Sequence, residues 1–178
     1  MHARNWNRIL MGLTMTVPIP YVAYAEVYLN EIQAAEVLFP NLQLQSAWIE
    51  LTPAEIQMIE KASGKKCTST RIRVWWGPNK EALIIDHVIG KHERIKYAVA
   101  VNSDGKIKGV EIMEYRETYG YQIREPQWRE QFIGKDANDH VKLEKNITNI
   151  SGATLSCAHI TDGVRRILET YEIIKSKV

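Results

Sequence analysis

The stretch Ser156–Lys175 places the tightest constraint on the fold. Ile160, Val164, Ile167, Leu168, Tyr171 and Ile174 recur there at three- and four-residue intervals, which puts them on one face of a long α-helix. An apolar face of that length must be covered, and the middle of the chain offers the cover. Arg71–Trp76 alternates, with β-branched or aromatic residues at its apolar positions, and Gly77-Pro78-Asn79 turns it. Ala82–Ile89 and Ile95–Val101 are strand-like runs separated by Gly90-Lys91-His92-Glu93. Asn102-Ser103-Asp104-Gly105 reads as a hairpin turn with Gly105 at positive φ, and Lys106–Tyr115 brings the chain back. These runs predict an antiparallel β-meander of about four or more strands. One face can lie under helices while the other stays wet.

Helices are also expected before the meander. Glu26–Leu38 has helical spacing through Leu29, Ile32 and Ala35 and stops before Pro40. A second helix starts at Thr52, an N-cap followed by Pro53 at the first helical position. Glu55 completes a capping box, Gly64 ends the helix, and Ile56, Ile59 and Ala62 form the buried stripe. Pro126–Phe132 reads as a short helix closed by Gly134. Helices on both sides of a meander define the α+β class.

The N-terminus reads as an export signal over residues 1–25. Arg4 and Arg8 precede an apolar run from Ile9 to Val17, then Pro18 and Pro20, then Ala23-Tyr24-Ala25 as a cleavage pattern. The run is short for a membrane span and two prolines interrupt it, which favours cleavage over a retained anchor. The expected location is therefore periplasmic or otherwise extracytoplasmic. Removing Arg4 and Arg8 from the 23 basic residues leaves 21 against 21 acidic ones. A balanced charge argues against nucleic acid, whose phosphates call for a basic excess. Cys67 and Cys157 are the only cysteines. In an oxidising compartment they can pair, although separation in sequence does not establish a bridge. No Cys-x-x-Cys-His motif is present for covalent haem, and His87, His92, His140 and His159 lack metal-ligand spacing.

Ser151-Gly152-Ala153-Thr154-Leu155-Ser156 stands just before the long helical pattern. Gly152 and Ala153 let backbone amides approach a ligand, Thr154 presents a hydroxyl, and the helix start aims free N–H groups outward. That start favours an anion by about 0.3–1 kcal/mol. On these letters alone, the stretch suits a helix-capping turn as well as a phosphate anchor.

Two ordered blocks carry a family resemblance. Ser151–Thr154 resembles the acceptor motif of the extracytoplasmic FMN-binding domain family, roughly Asp-x-x-Ser/Thr-Gly-Ala-Thr, and Ser156 also matches. Upstream, Glu117-Thr118-Tyr119-Gly120 resembles the family's Glu-Thr-Pro-Gly, with Tyr119 in place of Pro. Trp128, Phe132, Gly134 and Lys135 follow in the family's order. The blocks are similar to those of the peripheral flavoprotein subunits of sodium-pumping and Rnf-type respiratory complexes. The resemblance covers roughly Ala82–Leu168. One departure is Thr148, which stands where the family has its acidic residue.

The resemblance implies an electron carrier with FMN joined to Thr154 through a phosphoester. It implies a flavin transferase using FAD and a divalent metal, and membrane electron-transfer proteins as partners. Ser151, Gly152, Ala153 and Ser156 would shape the anchoring turn. Glu117, Thr118, Tyr119 and Gly120 would lie against the flavin, and Lys135 would offset phosphate charge. Tyr119 or Tyr121 would stack on the ring or else cover the sheet edge. Residues 81–178 would form the FMN-binding domain, in one globular unit with the helical segment and first strand at 26–80. A non-covalent FMN protein and a flavin-free periplasmic interaction module are the alternatives. Neither a catalytic residue nor a metal site is expected.

Overall fold

The computed structural model describes residues 26–178, so the export signal expected over 1–25 lies outside the described residues. Six strands form one antiparallel sheet in the order β1-β6-β5-β4-β3-β2. They are β1 Glu26–Val27, β2 Gln45–Glu50, β3 Arg71–Trp76, β4 Ala82–Ile89, β5 Arg94–Val101 and β6 Ile107–Tyr115. The four strands legible in the sequence fold within a residue of their expected limits. β1 and β2 join them at the two edges. β2 escapes pattern reading because its side chains are exposed except at Ile49.

The helices are α1 Glu31–Leu38, α2 Pro53–Ser63, the short α3 Pro126–Arg129 and α4 Thr154–Ile174. Helix α1 starts later than its apolar spacing suggests. Asn30 and Gln33 form a reciprocal capping box there, while Glu26 and Val27 pair with Tyr115 and Glu114. Ile32 consequently points outward, and Ala34 and Leu38 are buried instead. Helix α2 has the predicted Thr52–Glu55 capping box and left-handed Gly64. Its buried face includes Ile59, but Ser63 rather than Ala62 completes it, because the Ser63 hydroxyl donates to the Ile59 carbonyl at 2.7 Å.

α4 crosses the inner face of the sheet, and Ile160, Val164, Ile167, Leu168, Tyr171 and Ile174 are all buried in the core there. Gly163 permits this approach, since a Cβ at that position would come within 2.1 Å of the Tyr97 hydroxyl oxygen. The opposite face is only partly wet. Ala34, Leu38 and Phe39 cover Leu83, Ala98, Ala100 and Met113, where the small Ala98 and Ala100 admit the helix. Cys67 and Cys157 are free thiols. No helix among the described residues is long and apolar enough to cross a membrane.

Candidate functional site

Thr154 is the first residue of α4, with Ala153 at the cap position and no side chain capping the helix. The amides of the first turn are thus left without a side-chain acceptor. The Ala153 amide donates to the Ile150 carbonyl at 3.0 Å, closing the turn. Gly152 has φ +83°, and nothing lies within 4 Å of the place a Cβ would occupy. Ser151, Gly152 and Thr154 are exposed, whereas Ala153 and Ser156 are buried. The Thr154 hydroxyl oxygen accepts a hydrogen bond from the Asn149 side-chain amide at 3.0 Å.

Helix α3 holds the approach to this turn. Trp128 Nε1 donates to the Thr148 carbonyl at 2.8 Å, and the Thr148 amide donates to Gln131 Oε1 at 2.7 Å. Trp128 packs edge-on against Phe132 with centroids 5.2 Å apart. Arg129 donates to the Val110 carbonyl at 2.7 Å and pairs with Glu111, fixing α3 on β6. The Trp and Phe of the upstream block are therefore the clamp that positions the segment leading to Thr154.

The Glu117–Gly120 loop reaches the same turn. Gly120 sits at φ +91°, and a Cβ there would lie 2.7 Å from the Tyr115 hydroxyl oxygen and 2.9 Å from Ala153 Cβ. The two sequence blocks touch at this point. Tyr115 donates to the Tyr119 carbonyl, so its oxygen can accept from the Ser156 hydroxyl 3.3 Å away. Burial, the largest influence, pushes the Tyr115 pKa up, and Ser156 offsets only part of that. The phenol stays neutral and brackets loop and helix together.

Glu117 turns toward the β4–β5 hairpin instead. Its Oε1 accepts from the His92 and Glu93 amides at 2.6 and 2.9 Å. Burial raises its pKa, but the Glu93, His92 and Lys91 amides together outweigh this and leave it below the ordinary 4.5. A carboxylate with a depressed pKa stabilises the fold above its unfolded pKa. That contribution is lost as pH falls through the lower folded value. Glu117→Gln should therefore flatten the acid limb of the stability curve below about pH 4.5, measured by urea unfolding across pH, relative to the native chain. An unchanged limb would show that the hairpin amides do not hold the charge.

Other expected site residues fall elsewhere or remain open to solvent. Thr118 is exposed, and Tyr119 and Tyr121 are 80% and 59% exposed, so neither tyrosine covers the sheet edge. Lys135 is not brought to the turn. Its carbonyl accepts from Ile107 at 2.8 Å, at the start of β6. Tyr115, which meets the Gly120 loop, ends that strand, and among the described residues no hydrogen bond or ion pair joins Lys135 to the turn. Gly134 and Lys135 thus serve the pairing with β6. Cys157 is buried, and burial raises its pKa, which keeps it a thiol and a poor nucleophile. His159 is occupied with the Ile89 carbonyl. Asn149 was not legible as a partner of Thr154, because nothing in the letters fixes the side-chain direction within an irregular segment.

Comparison with known proteins finds similarity over the region of the site. The model of the FMN-binding domain matches residues 90–169, a span holding both blocks and the turn they form. Over that span the chain is similar to the FMN-binding domain family. A component of the proton-translocating ferredoxin:NAD(+) oxidoreductase complex of Clostridium ljungdahlii is 28% identical, over 90% of this chain and 89% of that protein. A component of the Na(+)-translocating ferredoxin:NAD(+) oxidoreductase complex of Acetobacterium woodii is 23% identical, over 94% of each. One polypeptide of the Na(+)-translocating NADH-quinone reductase from Parabacteroides distasonis, known from a crystal structure, has the same fold. Its TM-score is 0.56 at 16% identity, covering 81% of this chain and 83% of that one. The matched span contains the whole Thr154 turn, α3 and the His92 and Glu93 amides to which Glu117 is tied.

Proposed function

We propose that this chain is an extracytoplasmic electron-transfer protein whose FMN is joined through its phosphate to Thr154. One observation carries the reading. Inside the family match, an exposed hydroxyl stands at an uncapped helix start, beside a glycine with open space around it. Those residues fit a phosphate. The hydroxyl is reachable, Gly152 leaves room, and the first-turn amides offer donors with the favourable end of a long helix behind them. Bound FMN supplies one- and two-electron chemistry that no side chain can. Tyr119, Tyr121 and Leu155 add exposed apolar surface near the turn, suited to a planar ring.

The relatives named above are components of membrane electron-transfer complexes, which supports membrane electron-transfer proteins as donor and acceptor. Covalent loading requires a flavin transferase, with FAD as donor and a divalent metal. Outside the cytoplasm a tether has a direct advantage, because a released flavin is lost. The leader over 1–25 would deliver the chain there, and residues 26–80 and 81–178 would act as one unit.

The test is retention. Protein produced with a flavin transferase should stay yellow after denaturation and desalting, and Thr154→Ala should not. Flavin that leaves the native chain on denaturation would favour the non-covalent alternative, in line with Thr148 at the family's acidic position. A chain that never takes up FMN would overturn the reading.

A further inference from the structure

The hydroxyl of Thr154 has one side-chain partner in the structure, and it comes from Asn149, a residue outside the motif letters. We propose that Asn149 is a positioning residue for flavin attachment, its amide holding the Thr154 oxygen ready to attack. This rests on Thr154 being the acceptor. Asn149 is placed by its neighbours. Thr148 is pinned at both its amide and its carbonyl by Gln131 and Trp128, and the Ile150 carbonyl accepts from Ala153 to close the turn. Between those fixed points the Asn149 Nδ2 lies 3.0 Å from Thr154 Oγ1. Its own Oδ1 is buried with no partner. Such orphaned acceptors are rare because they are costly, and each calls for an explanation. Here the carboxamide is oriented by its donor, with the acceptor end left unmet.

The donor has a chemical use. It occupies one lone pair of Oγ1, so the O–H bond and the other lone pair point away from Asn149, toward solvent. In the transfer step a bond forms between Thr154 Oγ1 and the FMN-side phosphorus of FAD. The bridging P–O bond of the pyrophosphate breaks, and AMP leaves with its electron pair. The hydroxyl proton passes to a base of the transferase. As the base draws the proton off, Oγ1 gains alkoxide character before the bond to phosphorus is complete, and a hydrogen bond donated to it strengthens. Asn149 therefore favours the step more than it favours the resting hydroxyl. It adds no net charge beside an incoming phosphate.

The experiment follows adduct formation by intact mass, using the full chain, FAD, magnesium and a flavin transferase. The chains compared are wild type, Asn149→Ala, Asn149→Asp, Asn149→Leu and Thr154→Ala. Asn149→Ala is expected to slow adduct formation about tenfold at saturating acceptor, the effect of one lost hydrogen bond to a charging oxygen. The half-saturating acceptor concentration and the thermal midpoint should be unchanged. Asn149→Asp should be slowed as well, since an ionised carboxylate keeps the shape but has no proton to donate. A merely structural contact would leave loading at the wild-type rate. Because the carboxylate also repels phosphate, Asn149→Leu, which removes the donor without adding charge, decides the matter if the alanine variant fails to fold. Any Asn149 variant loading at the wild-type rate overturns the proposal while leaving Thr154 as acceptor. A wild-type chain that never loads overturns both.

Discussion

Asp86→Ala should lower the unfolding free energy by about 3 kcal/mol, the largest stability loss expected of any single substitution considered for this chain. Asp86 Oδ2 lies 2.6 Å from Arg166 Nη2, and the two side chains are 14% and 10% exposed. The carboxylate also accepts from the His87 amide at 2.7 Å and from the Thr68 hydroxyl at 3.3 Å, and Tyr97 approaches to 3.4 Å. Arg166 donates to the Lys66 carbonyl at 3.1 Å. Removing the aspartate leaves a guanidinium under α4 with its charge unmatched. Losses of about 3–5 kcal/mol are usual for such a pair. The lower end is expected here because a cavity of about 510 Å3 opens between β3 and β4 and includes both residues, so water can reach the orphan. Replacing both partners, Asp86→Ala with Arg166→Met, should recover most of the loss, because the desolvated charge is gone. Urea unfolding checks this through the midpoint at constant slope. The pair matters beyond stability, since it ties α4, which carries Thr154 at its start, to β4.

Gly120→Ala should strike the site itself. The substitution forces a side chain into φ +91° and places its Cβ 2.7 Å from the Tyr115 hydroxyl and 2.9 Å from Ala153. Together these are expected to cost about 2–3 kcal/mol and to push the Glu117–Gly120 loop off the turn. FMN affinity should drop at least about tenfold if loop and turn must meet to hold it. Gly134→Ala is the control. It has φ +79° but nothing within 4 Å of the added Cβ, so it carries the backbone cost without the collision. Equal losses of FMN affinity in the two variants, measured by fluorescence titration, would mean that the contact between the blocks has no part in binding.

The sequence disclosed what periodicity and turn chemistry encode. The α4 stripe, the capping box at Thr52 and Glu55 and the hairpin at Gly105 are local features, and each folds as its letters suggest. β1 and β2 were hidden for a physical reason: two residues make no pattern, and an edge strand exposed at nearly every position does not alternate. Within the site, the ordered blocks pointed to one place, and Gly120 does meet Ala153. Their individual roles were less legible. Glu117 holds the hairpin amides, Lys135 belongs to the far end of β6, and Trp128 acts through its indole N–H on the Thr148 carbonyl. Those assignments depend on tertiary direction, which spacing in an irregular stretch does not determine.

The most direct measurement of the central claim is peptide-level mass spectrometry of chain produced with a flavin transferase. Trypsin should release residues 146–165 as one peptide, bounded by Lys145 and Arg165. The account predicts one FMN unit on that peptide, with fragment ions placing it on Thr154 and not on Ser151 or Ser156. FMN on another residue, or an unmodified peptide from protein that binds flavin only reversibly, would contradict it.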